Sequence, residues 1–179
     1  CLYHEASNQL LAGGTALTML DLETEVERHF LLKGIPILTI IEHSNGNLYA
    51  SREDGTVVHW DSEFDGDVIK TYRHPQSEKV TNLLWTMVED DQQRIWVGGS
   101  SGLSLINLDE TEIKPFENYG AFKELSQADI FHFHKNKAGI WVASSVAAGL
   151  APDALPLGQG SVILFAVWFA IMMGALLRM

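Results

Sequence analysis

Cysteine is nearly absent. Cys1 is the single one in 179 residues, so no disulfide can close within the chain and thiol usage does not report a redox compartment. Its place at residue 1 suits a lipid-modified mature N-terminus, but no signal sequence is in view, and a chain that starts without Met inside a repeat reads more simply as a fragment. Cations are also scarce: 12 Lys and Arg stand against 23 Asp and Glu, giving a net charge of −11. No basic cluster forms, which argues against a nucleic-acid surface. The Gly98-Gly99-Ser100-Ser101-Gly102 run lacks the Gly-Lys-Ser/Thr ending and following helix of a phosphate cradle, so it reads as a hairpin turn. A nucleophile, base and orienting group in one constellation is missing as well.

What the chain does have is a repeated strand pattern. Val80 to Phe116 reads as four short strands, Val80–Glu89, Ile95–Gly98, Leu103–Asn107 and Glu112–Phe116, filled with apolar and β-branched residues. Asp90-Asp91, the glycine-rich run and Leu108-Asp109-Glu110-Thr111 supply the turns. One meander of this size cannot bury both of its faces, so it needs stacked copies. Laying Ile95-Trp96-Val97 on the rest of the chain finds Leu10-Leu11-Ala12, Leu48-Tyr49-Ala50 and Ile140-Trp141-Val142, at spacings of 38, 47 and 45 residues. Second apolar strands follow at Ala16–Asp21, Thr56–Trp60 and Leu103–Asn107, with a degenerate fourth at Val146–Leu150. A period of about 40 to 50 residues with four strands per unit is the signature of propeller blades.

The block VEDDQQRIWVGGSSGLSLIN, with weaker versions IEHSNGNLYASREDGTVVHWD and FHKNKAGIWVASSVAAGL, resembles the two-component-regulator propeller repeat. Leu11 stands where that family prefers Trp, and the repeat is lost after Ala143. The resemblance spans Cys1 to Leu150. It implies the extracytoplasmic sensor propeller of bacterial one-spanning receptors, commonly hybrid histidine kinases, with a glycan or other extracellular cue as input and a cytoplasmic kinase as output. Any kinase activity would lie outside these residues. Trp60-Asp61 matches the Trp-Asp pair of another propeller class at one dipeptide only, and Glu53 stands where a sialidase Asp-box needs Asp.

The expected architecture is therefore all-β: a partial β-propeller of three to four four-stranded blades, followed by one hydrophobic helix. Repeats fall at about 1–33, 34–76, 77–120 and 121–150, then a Pro/Gly linker at 151–160. Ser161–Leu177 is 17 uncharged, mostly apolar residues with Arg178 behind it, a candidate transmembrane helix whose flanking charge would put the propeller on the periplasmic side of the inner membrane. Ile37–Glu42 reads as an inner strand buried against two neighbours. Asn45-Gly46 reads as a hairpin turn, and Leu22-Glu23-Thr24-Glu25 as a turn by repeat logic despite its helix-forming residues. Exposed sheet faces at the two ends predict self-association.

Site chemistry is thin. Tyr49, Trp96 and Trp141 recur at one repeat position and read as inter-blade packing residues, with Gly98, Gly99 and Gly102 as structural turn positions. His132 and His134 share a strand face, but no third ligand is identifiable, so no metal and no cofactor is expected. Glu53-Asp54 and Glu89-Asp90-Asp91 read as turn chemistry. The alternatives left open are a propeller enzyme of the lyase or quinoprotein type, marked by a convergent His/Glu/Arg set or a metal in the channel, and a truncated fragment without independent function.

Overall fold

The computed structural model describes residues 2–4, 8–30, 34–61, 68–77, 83–115, 125, 127–137, 139–145 and 162–164. These residues are all-β. The first sheet is β1 (Leu2–His4), β2 (Gln9–Gly13), β3 (Leu17–Asp21) and β4 (Glu27–Phe30). The second is β5 (Ile37–Glu42), β6 (Leu48–Arg52), β7 (Thr56–Trp60) and β8 (Lys70–Arg73). The third is β9 (Leu84–Glu89), β10 (Ile95–Gly99), β11 (Gly102–Ile106) and β12 (Ile113–Pro115). Each runs as an antiparallel meander in chain order. A fourth sheet pairs β13 (Ile130–Asn136) with β14 (Gly139–Ser144), and β15 (Val162–Leu164) joins β14 in parallel.

Side chains alternate across each strand, and successive blades interleave the two sets. Leu11, Leu17 and Met19 of the first blade pack on Ile37, Ile40, Leu48, Ala50, Val58 and Trp60 of the second. Tyr49, Val57 and Tyr72 then pack on Leu84, Met87, Ile95, Val97, Ile106 and Ile113 of the third. Trp96 and Leu103 complete the series against Ile130, Phe133, Ile140 and Val142 of the fourth. Each blade thus shows one face backward and one forward along the stack.

The turns repeat as faithfully as the strands. Asn8, Gly46 and Gln93 occupy the same place in the turn between the first and second strands of their blades, and all three are left-handed, with φ of 51°, 86° and 61°. Gly55 and Gly102 share the left-handed place in the next turn, with φ of 75° and 89°. The 22–25 segment is a turn: Asp21 Oδ1 accepts the backbone N–H groups of Glu23 at 3.0 Å and Thr24 at 2.9 Å, and Asp21 N–H donates to the Val26 carbonyl at 3.0 Å, which closes the segment between β3 and β4.

Two expectations change. Ile37–Glu42 forms the strand anticipated, yet Leu38 is 39% exposed rather than buried between neighbours, because the pairing with β6 shifts register there. Val162–Leu164 of the expected hydrophobic helix is a strand, adding to the open side of β14 whose backbone groups need partners. The rest of 161–177, the Val146–Leu150 copy and the 151–160 linker lie outside the described residues, as do Val80–Asn82 and Phe116. Among the described residues no helix is long and apolar enough to cross a membrane.

Candidate functional site

The register shift at Leu38 is itself a repeat. β5 skips a residue against β6 between Ile37 and Thr39, β9 against β10 between Leu84 and Thr86, and β13 against β14 between Ile130 and His132. The extra residues are Leu38, Trp85 and Phe131, spaced by 47 and 46 positions. A bulge adds one residue to one strand of a pair, bends it and re-aims a side chain.

Each bulge is clamped just before it begins. Glu53 N–H donates to the Pro36 carbonyl at 2.9 Å, Ser100 N–H to the Leu83 carbonyl at 3.1 Å, and Ser145 N–H to the Asp129 carbonyl at 2.9 Å. Hydroxyls reinforce two of the three clamps: Leu83 N–H donates to Ser100 Oγ at 3.2 Å and Asp129 N–H to Ser145 Oγ at 2.9 Å. A second anchor ties blade to blade, since Ser51 Oγ–H donates to the Leu84 carbonyl at 2.7 Å. The places equivalent to Ser51 are Gly13 and Gly98, where an added Cβ would fall 2.5 Å from Ile37 Cγ2 and 2.4 Å from Ile130 Cγ2. The small residue lets the next blade's first strand come close.

What the bulges display is apolar. Phe131 is 51% exposed and Trp85 half-buried, and their rings stack with centroids 5.7 Å apart and planes 4° from parallel. Beside the first bulge, where Ile37 pairs with Arg52, a polar knot closes the hairpin. Arg52 Nε–H donates to Thr56 Oγ1 at 2.8 Å, Thr56 Oγ1–H to Asp54 Oδ1 at 2.5 Å, and the Arg52 guanidinium lies 3.4 Å from Asp54 Oδ2. Burial pushes the Arg52 pKa down from its ordinary value, Asp54 opposing and Arg73 adding. An exposed stacked aromatic pair can take the apolar face of a ring-shaped ligand or side chain.

The anticipated positions fall elsewhere. Tyr49 and Trp96 are 1% and 5% exposed, inside the second and third inter-blade clusters, and Trp141 is half-buried. Trp96 Nε1–H donates to Asp90 Oδ2 at 2.8 Å. Gly98 holds the close approach already described, while a Cβ on Gly99 would fall 1.7 Å from the Leu83 carbonyl oxygen. Gly102 opens β11 opposite Gly99. His132 and His134 are both exposed on β13, and no group of three His, Cys, Asp or Glu among the described residues could hold a metal. Sequence reasoning missed Trp85 and Phe131. Each directly follows the first residue of its strand, Leu84 of β9 or Ile130 of β13.

The far ends of the strands carry polar links between blades. Glu89 accepts from Ser44 N–H at 2.8 Å and from Ser44 Oγ at 2.5 Å, His43 Nε2–H donates to the Gln93 carbonyl at 3.1 Å, and Lys135 meets Asp91 at 2.9 Å. The acidic cluster at 89–91 thus organises turns and seams.

No protein-family model matches the chain, and no curated protein sequence does. Solved structures do. The chain is similar to the WD40 β-propeller domain of Doa1, with a TM-score of 0.57 and 14% identity over 79% of this chain and 45% of that one. It is similar to the extracellular domain of the hybrid two component system BT3049 from B. thetaiotaomicron, with a TM-score of 0.57 and 22% identity over 77% of this chain and 18% of that one. It is also similar to the β-propeller domain of Myceliophteria thermophila Cps50 (Swd1), with a TM-score of 0.59 and 12% identity over 82% of this chain and 50% of that one. The match spans half or less of each of these chains. At such identities the likeness is one of fold, and the fold is that of a run of propeller blades.

Proposed function

We propose that this chain is a ligand-sensing or protein-interaction portion of a bacterial signal receptor, acting on the periplasmic side without catalysis of its own, with the bulge column as its contact surface. The observation that carries the reading is that three successive blades place an apolar side chain on a clamped bulge, Leu38, Trp85 and Phe131, two of them stacked. Packing within the blades does not require these residues to be apolar, because Ile37, Leu84 and Ile130 beside them already fill the clusters. Support for the receptor setting comes from the VEDDQQRIWVGGSSGLSLIN block and from a fold shared with the extracellular domain of a hybrid two component system. The ligand in this reading is a glycan or another extracellular cue, with the C–H face of a sugar ring lying on an outer face of the stacked Trp85–Phe131 pair. Output through a cytoplasmic kinase belongs to the same proposal.

Screening the full chain against a glycan panel, followed by calorimetry on any hit, tests it. Trp85→Ala and Phe131→Ala are expected to weaken binding about tenfold or more, equivalent to about 1.4 kcal/mol each, with unchanged circular dichroism. Wild-type affinity in both folded variants would remove the bulge column from the site.

A further inference from the structure

The forward face of each of the first three blades carries one row of paired residues running outward across the sheet. In the first blade the row is Leu11, Met19 and Arg28, in the second Tyr49, His59 and Lys70, and in the third Trp96, Leu105 and Lys114. The middle place is apolar in two blades, Met19 and Leu105. In the second blade it is an imidazole.

His59 lies flat on Tyr49, with ring centroids 4.6 Å apart and planes 3° from parallel. Both of its ring nitrogens are shielded from solvent, and neither has a hydrogen-bond partner among the described residues. Tyr49 in turn belongs to the cluster that joins the second blade to the third. The ionisable groups around the ring are Lys70 and Tyr72 on β8, Tyr49 on β6, His43 in the turn before β6 and Asp61 directly after β7, and across the seam Glu89 of β9 lies 3.6 Å from His43. Lys70 is committed elsewhere, its Nζ donating to the Leu108 carbonyl of the third blade at 2.7 Å. A proton on His59 would therefore place a cation beside Lys70 and His43, inside an apolar seam, with no acceptor among the described residues for its two N–H groups.

We infer that His59 is an acid-sensitive latch between the second and third blades: neutral, it packs as Leu105 does one blade on, and protonated, it loosens the seam. Burial first and then Lys70 push its pKa below the ordinary 6.5, with Asp61 opposing and His43 adding. A folded-state pKa below the unfolded one means that the unfolded chain takes up the proton first as pH falls. The latch is therefore fully in place above about pH 6.5 and is lost progressively below it. This device is independent of what binds the bulge column.

The test uses the residues that the repeat itself puts at this place, His59→Leu and His59→Met, in the full chain. Thermal midpoints are measured at pH 7.5 and 5.5. Wild type is expected to lose about 2 to 4 °C more than either variant across that interval. His74 is present in all three proteins, so the difference isolates His59. An equal loss in wild type and in a folded variant would overturn the latch. A histidine Cε1–H titration by NMR gives an independent reading: a midpoint below 6.5 for His59 supports the latch, and one at or above 6.5 overturns it even if neither variant folds.

Discussion

Asp90 shows how much a single side chain can organise. Its Oδ1 accepts from the N–H groups of Gln92 at 2.9 Å and Arg94 at 3.0 Å, and its Oδ2 from Arg94 Nε at 2.6 Å and Trp96 Nε1 at 2.8 Å. Burial works against its charge, but these donors, led by the Arg94 N–H, outweigh it and hold the carboxyl below the usual range. Stability from Asp90 is thus present above pH 3.8 and lost as pH falls through the depressed folded value. Asp90→Ala should cost about 2 to 3 kcal/mol in urea unfolding, because it removes the acceptor of four hydrogen bonds, and Asp90→Asn should cost less. At the corresponding place in the second blade, His43 takes over: its Nδ1 accepts from Asn45 N–H at 3.2 Å, which leaves Nε2–H to reach Gln93. Gln93 is left-handed where the equivalent residues are Gly46 and Asn8. Replacing it with Gly should stabilise the chain by about 0.5 to 1 kcal/mol in the same assay, since the His43 bond goes to its backbone carbonyl and survives. Turn chemistry at the 89–91 cluster was legible in the sequence. The six-residue reach from Asp90 to the Trp96 indole was not, because it depends on how the hairpin folds back.

Among the elements, strands and turns were the most legible features, because apolar runs and Gly, Asn and Asp clusters encode them locally. Thr56–Trp60 stands where the repeat put it, and Ile37–Glu42 where its apolar run put it. The bulges were illegible for a physical reason: in a stretch such as Leu83-Leu84-Trp85 every residue is apolar, so the two-residue period cannot reveal that one position has been skipped. The face of each side chain is then decided by the clamp from the neighbouring turn, which pattern alone does not register. The same limit applies to Val162–Leu164, where a long apolar run suits a helix and the unpaired side of β14 selects a strand. The close approach between blades gives a sharp prediction. Gly98→Ala would drive a methyl to within 2.4 Å of Ile130 Cγ2 and 3.0 Å of Phe133 Cζ, and overpacking of this kind costs about 1 to 3 kcal/mol. Because the offending atom is a side chain, Ile130→Ala should recover part of the loss in a double-mutant cycle, whereas purely additive effects would show that the third and fourth blades are not packed through Gly98.

At the scale of the whole molecule, matching faces of the first and second sheets are sealed to different degrees. In the second blade, the backward face shows Leu48, Ala50, Val58 and Trp60 at 1% exposure or less, all sealed by the first blade. The matching residues of the first blade are Leu10, Ala12, Thr18 and Leu20, and each is only half-buried. That face carries apolar side chains of the right spacing to receive another sheet, and repeat stacks in solution ordinarily cap such faces with polar residues. The expected outcome is reversible association through the first sheet, with a weight-average mass that rises with concentration in sedimentation equilibrium at micromolar levels. Leu10→Lys and Leu20→Lys should shift the chain toward monomer while leaving the folded spectrum intact, because both residues point away from the seam with the second blade. A net charge of −11 opposes the association, so added salt should strengthen it in wild type by screening that repulsion. A mass that stays monomeric across concentration and salt would mean that the backward face of the first blade does not receive a second copy.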